Sequence, residues 1–229
     1  MCARGSRGRG DFEGIRHSTA NVASKPNHAK FQKYTNLEIS MVFDSHRSTA
    51  RNRNAHMKRG DIERLATDVL RDHGLLSFPV DPLKVSNALG VKVMNAVFSE
   101  EDKSGAIVRR GDHFSIFVNA NDPPARKRFT IAHEIGHKLL HMKTGHLEFV
   151  DKADNFRSSA IDDVEGWTEE RRREWEANVF AAALLMNEDL LRDRWQTEKN
   201  PAMLAWKFQV SQQAMTIRLA QLGLLGSGI

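Results

Sequence analysis

The stretch His133-Glu134-Ile135-Gly136-His137 decides how the rest of this 229-residue chain is interpreted. It has the H-E-x-x-H spacing, in which two histidines lie four residues apart. On an α-helix, residues four apart lie on the same face, so both imidazoles can reach one metal ion. Glu134 lies one step round the helix, where it can act as a general base beside the open side of that metal. The pattern predicts a zinc site, because two imidazoles, a carboxylate and an open position for water suit Zn²⁺.

The sequence around this motif predicts the helix that it requires. Asn121 and Asp122 are good capping residues, and Pro123 and Pro124 suit a first helical turn. The apolar residues at helical spacing are Phe129, Ile131, Ala132, Ile135, Leu139 and Leu140. We therefore expect the motif on a helix whose apolar face packs into a core.

The segments before the motif predict an α+β fold. Helical spacing predicts one helix over residues 61–75 and a shorter one over residues 83–89. Strand-like segments follow at residues 91–98, 105–109 and 113–119, with Arg110-Gly111-Asp112 as a hairpin turn. We expect a small antiparallel sheet packed with the motif helix, and an edge strand that could pair with an extended peptide.

The segments after the motif predict further helices. Residues 142–167 form a long irregular connection with one possible strand at 147–150, and a helix follows over residues 168–186, capped by Thr168. Residues 200–208 and 211–222 predict two short helices that resemble a helix-turn-helix. The positions expected to face outward on the second of these are Gln212, Gln213, Thr216 and Arg218. We divide the chain into residues 1–58 (tail), 59–198 (metallopeptidase core) and 199–229 (helical pair packed on the core).

The third metal ligand must come from outside the motif, because two histidines do not complete a zinc site. His141 lies about 12 Å along the helix from His133, too far for both to reach one ion with His137. His146 could approach from the loop. Glu176 is the favoured candidate, because small and apolar residues follow it and a buried carboxylate needs a partner. Glu174 lies in a charged run, which favours ion pairs on the helix surface.

The charge of the chain is unevenly distributed. The formal net charge is +5, yet residues 1–60 contain 12 Lys and Arg against 4 Asp and Glu, and the remainder contains 22 against 25. The basic character thus belongs to the N-terminal segment, which shows no sustained apolar period. We expect residues 1–58 to be a disordered basic tail, unless translation begins at Met41 or Met57.

The remaining composition favours a cytoplasmic protein. The sequence has neither the apolar core of a signal peptide nor a run of about 18 apolar residues that could span a membrane. The single cysteine, Cys2, excludes a disulfide within the chain and a cysteine metal site.

Three segments together resemble the ImmA/IrrE family of metallopeptidases: residues 128–137 (RFTIAHEIGH), 176–181 (EANVFA) and 184–186 (LLM). The resemblance extends over about residues 61–225. It implies that His133, His137 and Glu176 bind one Zn²⁺ and that Glu134 is the catalytic base. The family usually has proline after the LLM, where this chain has Asn187.

The resemblance also implies a function. Proteins similar to this family are endopeptidases of narrow specificity that cleave helix-turn-helix repressors or antitoxins and so switch on stress, mobile-element or toxin–antitoxin genes. We expect a protein substrate of this kind, with the oxyanion donor left open among His141, His146 and Arg157, since Tyr34 lies in the tail. The alternative is a DNA-binding or adaptor regulator with an idle metal site, whose readout would come from the C-terminal helices.

Overall fold

The computed structural model describes residues 57–99, 103–142, 148–150 and 166–225. The predictions for the tail up to residue 56, and for Tyr34, His146 and Arg157, lie outside these residues. The described part contains helices and strands in the order α1 Arg59–Asp72, α2 Pro82–Ala88, β1 Val91–Ala96, β2 Gly105–Arg110, β3 His113–Asn119, α3 Pro124–Leu140, β4 Glu148–Val150, α4 Glu169–Leu185, α5 Glu188–Thr197, α6 Pro201–Phe208 and α7 Gln212–Gln221. This arrangement confirms the α+β prediction.

The four described strands form one mixed sheet in the order β1-β3-β2-β4. β2 and β3 form the predicted antiparallel hairpin, and Gly111 in its two-residue loop has the positive φ of 60° that such loops favour. β4 pairs antiparallel with β2, whereas β1 pairs parallel with β3. The sheet is therefore mixed, not purely antiparallel. The reason is that β3 folds back into the place between β1 and β2, so β1 lies beside the strand that runs in its own direction.

The motif helix α3 packs against the sheet on one side and against α4 on the other. It begins at Pro124 with Pro123 at the cap position and no side-chain cap bond, so the cap predicted at Asn121 and Asp122 does not form. At the crossing with α4, a Cβ added to Gly136 would lie 3.2 Å from Ala177 Cα. The absence of a side chain at residue 136 lets the two helix backbones approach closely.

Helix α4 lies at the centre of the described fold. It begins after Thr168, whose side chain accepts a hydrogen bond from Arg171 N at 3.2 Å, as predicted. Every residue from Trp175 to Leu185 is buried, because α4 packs against both α1 and α3. The second half of this helix is therefore buried on all sides.

The C-terminal helices start at well-defined caps. The side chains of Asn200 and Ser211 cap α6 and α7, the two helices predicted after residue 199. Helix α5 was not predicted; Asn187 caps it by accepting from Asp189 N at 3.1 Å and also donates to Thr67 Oγ1 at 2.9 Å. Asn187, at the position where the family usually has proline, therefore starts helix α5 and caps it with its own side chain. Within the part of the chain that is described, none of the helices is long and apolar enough to cross a membrane.

Candidate metal centre

Helix α3 places the three motif side chains in the interior. His133, Glu134 and His137 are 3%, 0% and 1% exposed. The two imidazoles lie one above the other on the α4 side of the helix, with His133 Nε2 and His137 Nε2 2.8 Å apart. The spacing of the motif thus brings the two ring nitrogens together as predicted from helical geometry.

Glu174 on α4 completes this group. Its Oε2 lies 3.2 Å from His133 Nε2, and its Oε1 lies 3.3 Å from His137 Nε2. Atoms that bind a tetrahedral zinc at about 2.0–2.1 Å lie about 3.3 Å from one another. The three side chains therefore present donor atoms at the spacing of a metal site, and they form the candidate metal cluster found among the described residues.

Glu176, the third ligand predicted from the sequence, lies elsewhere. Its Oε2 is 2.9 Å from His141 Nε2, and its Oε1 accepts from the backbone N–H of Met57 at 3.3 Å. Residues two apart on a helix point about 200° apart, so Glu174 and Glu176 cannot both face the histidine pair. The sequence argument expected a partner for a buried carboxylate at position 176; that partner is an imidazole, while the partly exposed Glu174 meets the histidines.

The outer nitrogens of both histidines are also held. Asn178 Oδ1 lies 2.9 Å from His133 Nδ1, and His141 Nδ1 lies 3.0 Å from His137 Nδ1. Hydrogen bonds of this kind fix the orientation and tautomer of metal-binding histidines. Sequence reasoning had missed Asn178; the available signal was its position four residues after Glu174, on the same helix face.

The ionisation of these side chains suits metal binding. The pKa of His137 is lowered to about 4, chiefly by burial and then by neighbouring His133, against the hydrogen bond to Glu174, which raises it. Burial raises the pKa of Glu174, but the hydrogen bonds and positive charge of His133 and His137 outweigh this and hold it below its usual range. A neutral imidazole beside a charged carboxylate is the combination that metal ligands require.

The donor set fits a divalent cation. An ionised carboxylate only accepts hydrogen bonds. Where His133 donates from Nδ1 to Asn178, a cation can take the place of the proton on Nε2, which lies 3.2 Å from Glu174 Oε2. Two nitrogens with one carboxylate are a common catalytic zinc set, so these residues would hold a divalent cation.

Glu134 lies on the sheet side of α3, next to the start of β2. A Cβ added to Gly105 would lie 3.1 Å from Glu134 Oε1 and 2.3 Å from Thr130 Cγ2. The Glu134 carboxylate, next to His133 in the sequence, therefore lies between α3 and the sheet.

The sequence left three candidates open for the oxyanion donor. Of these, His141 has both ring nitrogens engaged, one with His137 and one with Glu176.

The helix-turn-helix-like pair differs from its predicted form at one residue. Gln212, Gln213 and Thr216 are exposed as expected. Arg218 is only 2% exposed; its Nε donates to Met186 O at 3.3 Å and its Nη1 pairs with Glu63. The second helix of the pair therefore lacks the outward arginine that the DNA-reading alternative counted on.

Comparison with known proteins shows which family the chain belongs to. The family model described as the IrrE N-terminal-like domain matches residues 86–220, which include all the residues of the cluster. The chain belongs to the ImmA/IrrE family. It is similar to a protein named radiation response metalloprotease IrrE in Deinococcus deserti, 40% identical over 82 residues, which are 36% of this chain and 26% of that one.

A second relative carries the same name in Deinococcus radiodurans. It is 33% identical over 114 residues, which cover 48% of this chain and 32% of that one. The chain thus matches about a quarter to a third of the length of these curated relatives.

Proposed function

We propose that this chain is a zinc-dependent endopeptidase. The observation that carries the proposal is the spacing of 2.8, 3.2 and 3.3 Å among the donor atoms of His133, His137 and Glu174. Family membership and the name metalloprotease in both Deinococcus relatives support the same activity.

The proposed ligands are His133 Nε2, His137 Nε2 and the Glu174 carboxylate. Glu174 replaces Glu176 in this set, because Glu176 meets His141 instead of the histidine pair. The motif histidines remain as the sequence predicted them. A zinc ion held by these atoms would act as a Lewis acid, which would polarise a carbonyl and lower the pKa of water toward neutrality.

Glu134 is the proposed general base. Its carboxylate follows His133 directly on α3 and is fully buried between that helix and β2. Burial away from water favours proton transfer to a nearby group over exchange with solvent. In the proposed reaction the carboxylate takes a proton from the attacking water and later gives it to the leaving amine of the cleaved peptide.

The proposed substrate is a protein, specifically a helix-turn-helix repressor or antitoxin, cleaved in the cytoplasm to derepress stress, mobile-element or toxin–antitoxin genes. The resemblance of residues 128–137, 176–181 and 184–186 to the family supports this substrate class. Both relatives are named for a radiation response, which agrees with a stress function. The DNA-binding alternative gains no support from the fold, since Arg218 is buried.

The test combines metal content with cleavage. Purified protein is assayed for zinc and for cleavage of a repressor encoded beside its gene, in parallel with Glu134→Gln as the matched control. We expect about one zinc per chain in both proteins and cleavage by the wild type alone, with a loss of at least about 10²-fold in Glu134→Gln. A wild type that binds no zinc, or a Glu134→Gln variant that cleaves normally, would contradict the proposal.

A further inference from the structure

The residues beyond the metal cluster form a continuous chain of contacts. Glu176 Oε2 lies 2.9 Å from His141 Nε2, and His141 Nδ1 lies 3.0 Å from His137 Nδ1. The side chains of His141 and Glu176 are 6% and 10% exposed. This series of hydrogen bonds therefore runs through the interior from Glu176 on α4 to His137 on α3.

The donor and acceptor chemistry of these side chains indicates which nitrogen carries each proton. The Glu176 carboxylate can only accept, so His141 must donate from Nε2. A His141 ring that carries its single proton on Nε2 has a lone pair on Nδ1, which can accept from His137 Nδ1 across 3.0 Å. His137 is thereby left with its lone pair on Nε2, the atom that lies 2.8 Å from His133 Nε2 in the metal cluster.

Glu176 is itself held in place. Its second oxygen, Oε1, accepts from the backbone N–H of Met57 at 3.3 Å, directly before α1 begins. The carboxylate is therefore fixed from two sides, and α4 and the start of α1 jointly set its orientation. A rotation toward the histidine pair would break both contacts.

We propose that Glu176 and His141 form a relay that fixes the tautomer of His137 and thereby sets how tightly the site holds its metal. Glu176 is then a positioning residue that acts through His141. The inference rests on the metal-dependent function proposed above. It accounts for Glu176, a buried acid next to α3 that is neither a proposed metal ligand nor the proposed general base.

The test uses four variants: Glu176→Ala, Glu176→Gln, His141→Phe and the double variant Glu176→Ala/His141→Phe. Zinc dissociation constants are measured by competition with a chelator. Visible spectra of the cobalt-substituted proteins report the ligand set, and nitrogen-15 NMR of the metal-free protein reports the tautomer of His137. Glu176→Gln is the conservative control, since its amide oxygen can still accept from His141.

We expect Glu176→Ala and His141→Phe to weaken zinc binding by about 10- to 100-fold, with the cobalt spectrum of the wild type retained. Glu176→Gln should recover most of the affinity. The double variant should match His141→Phe within about twofold, because Glu176 acts only through His141. In the metal-free wild type the His137 proton should lie on Nδ1, and this preference should be lost in His141→Phe.

Three results would overturn the relay: unchanged zinc affinity in both single variants, a changed cobalt spectrum in Glu176→Ala, or losses that multiply in the double variant. Failure of the relay is distinguishable from failure of the proposed function. If the wild type binds zinc and cleaves protein and the variants bind zinc equally well, only the relay is contradicted. If the wild type binds no metal, both the relay and the proposed function are contradicted.

Discussion

Glu174 and Asn178 lie one turn apart on α4 and contact opposite nitrogens of the same histidine. Glu174 Oε2 is 3.2 Å from His133 Nε2, and Asn178 Oδ1 is 2.9 Å from His133 Nδ1. One helix face thus supplies both a proposed ligand and the group that orients another ligand. The close approach of α3 and α4 at Gly136 and Ala177 makes this double contact possible.

Asn178→Ala tests the orienting contact. Removing the amide leaves the His133 ring without its acceptor at Nδ1, so we expect zinc affinity to fall by about 10- to 100-fold. The measurement is a zinc dissociation constant by chelator competition. Asn178→Asp, which keeps an acceptor at this position, is the matched control and should stay closer to the wild type than Asn178→Ala. Equal losses in both variants would show that the amide oxygen does not orient His133.

Gly105→Ala tests the spacing between the motif helix and the sheet. An added Cβ would lie 2.3 Å from Thr130 Cγ2, so helix or strand must shift. Overpacking of this kind costs about 1–3 kcal/mol in the free energy of unfolding, measured by chemical denaturation. The second change Thr130→Ser removes the obstructing methyl group and should restore part of the loss. A Gly105→Ala variant as stable as the wild type, or a double variant no better than Gly105→Ala, would contradict this packing.

The pKa of His137 predicts how the metal-free protein responds to acid. Its value in the folded state is about 4, below the usual 6.5. Between these values the unfolded chain binds more protons than the folded one, so the stabilising effect is complete above about pH 6.5 and is lost as the pH falls toward 4. We expect the free energy of unfolding in a chelator to fall across this window. His137→Gln, which lacks the titrating group, should lose less over the same range; an identical pH profile would contradict the prediction.

Arg218 predicts a stability effect in the C-terminal helices. It is buried against Glu63 of α1 and Met186 O. Arg218→Met alone should destabilise the fold by about 3–5 kcal/mol, because it leaves the Glu63 carboxylate without this partner. The double variant Arg218→Met/Glu63→Met should recover much of that loss. Chemical denaturation measures both, and a neutral Arg218→Met would show that the pair contributes nothing.

Features encoded locally could be predicted from the sequence. Thr168, Asn200 and Ser211 cap their helices because each side chain reaches backbone N–H groups only two or three residues away. The H-E-x-x-H spacing brings His133 and His137 together through helix geometry alone. These relationships depend on a few consecutive residues and need no knowledge of the tertiary fold.

Features that depend on tertiary contacts could not be predicted in the same way. The parallel pairing of β1 with β3 depends on which strand fills the place beside it. The contacts of Glu174 and Glu176, and so their proposed roles, depend on how α4 is rotated against α3, and burial of a carboxylate does not identify its partner. Arg218 looks like an outward-facing cation in the sequence and is buried because α1 offers Glu63.

The measurement that tests the central claim most directly compares Glu174→Ala with Glu176→Ala. The two acids lie two positions apart on α4; Glu174 contacts His133 and His137, whereas Glu176 contacts His141. Zinc per chain is measured after dialysis against a saturating concentration of free zinc. We predict that Glu174→Ala loses the stoichiometric ion, while Glu176→Ala keeps it with a weaker affinity. Full retention of zinc by Glu174→Ala, together with loss of zinc by Glu176→Ala, would contradict the assignment and identify Glu176 as the third metal ligand.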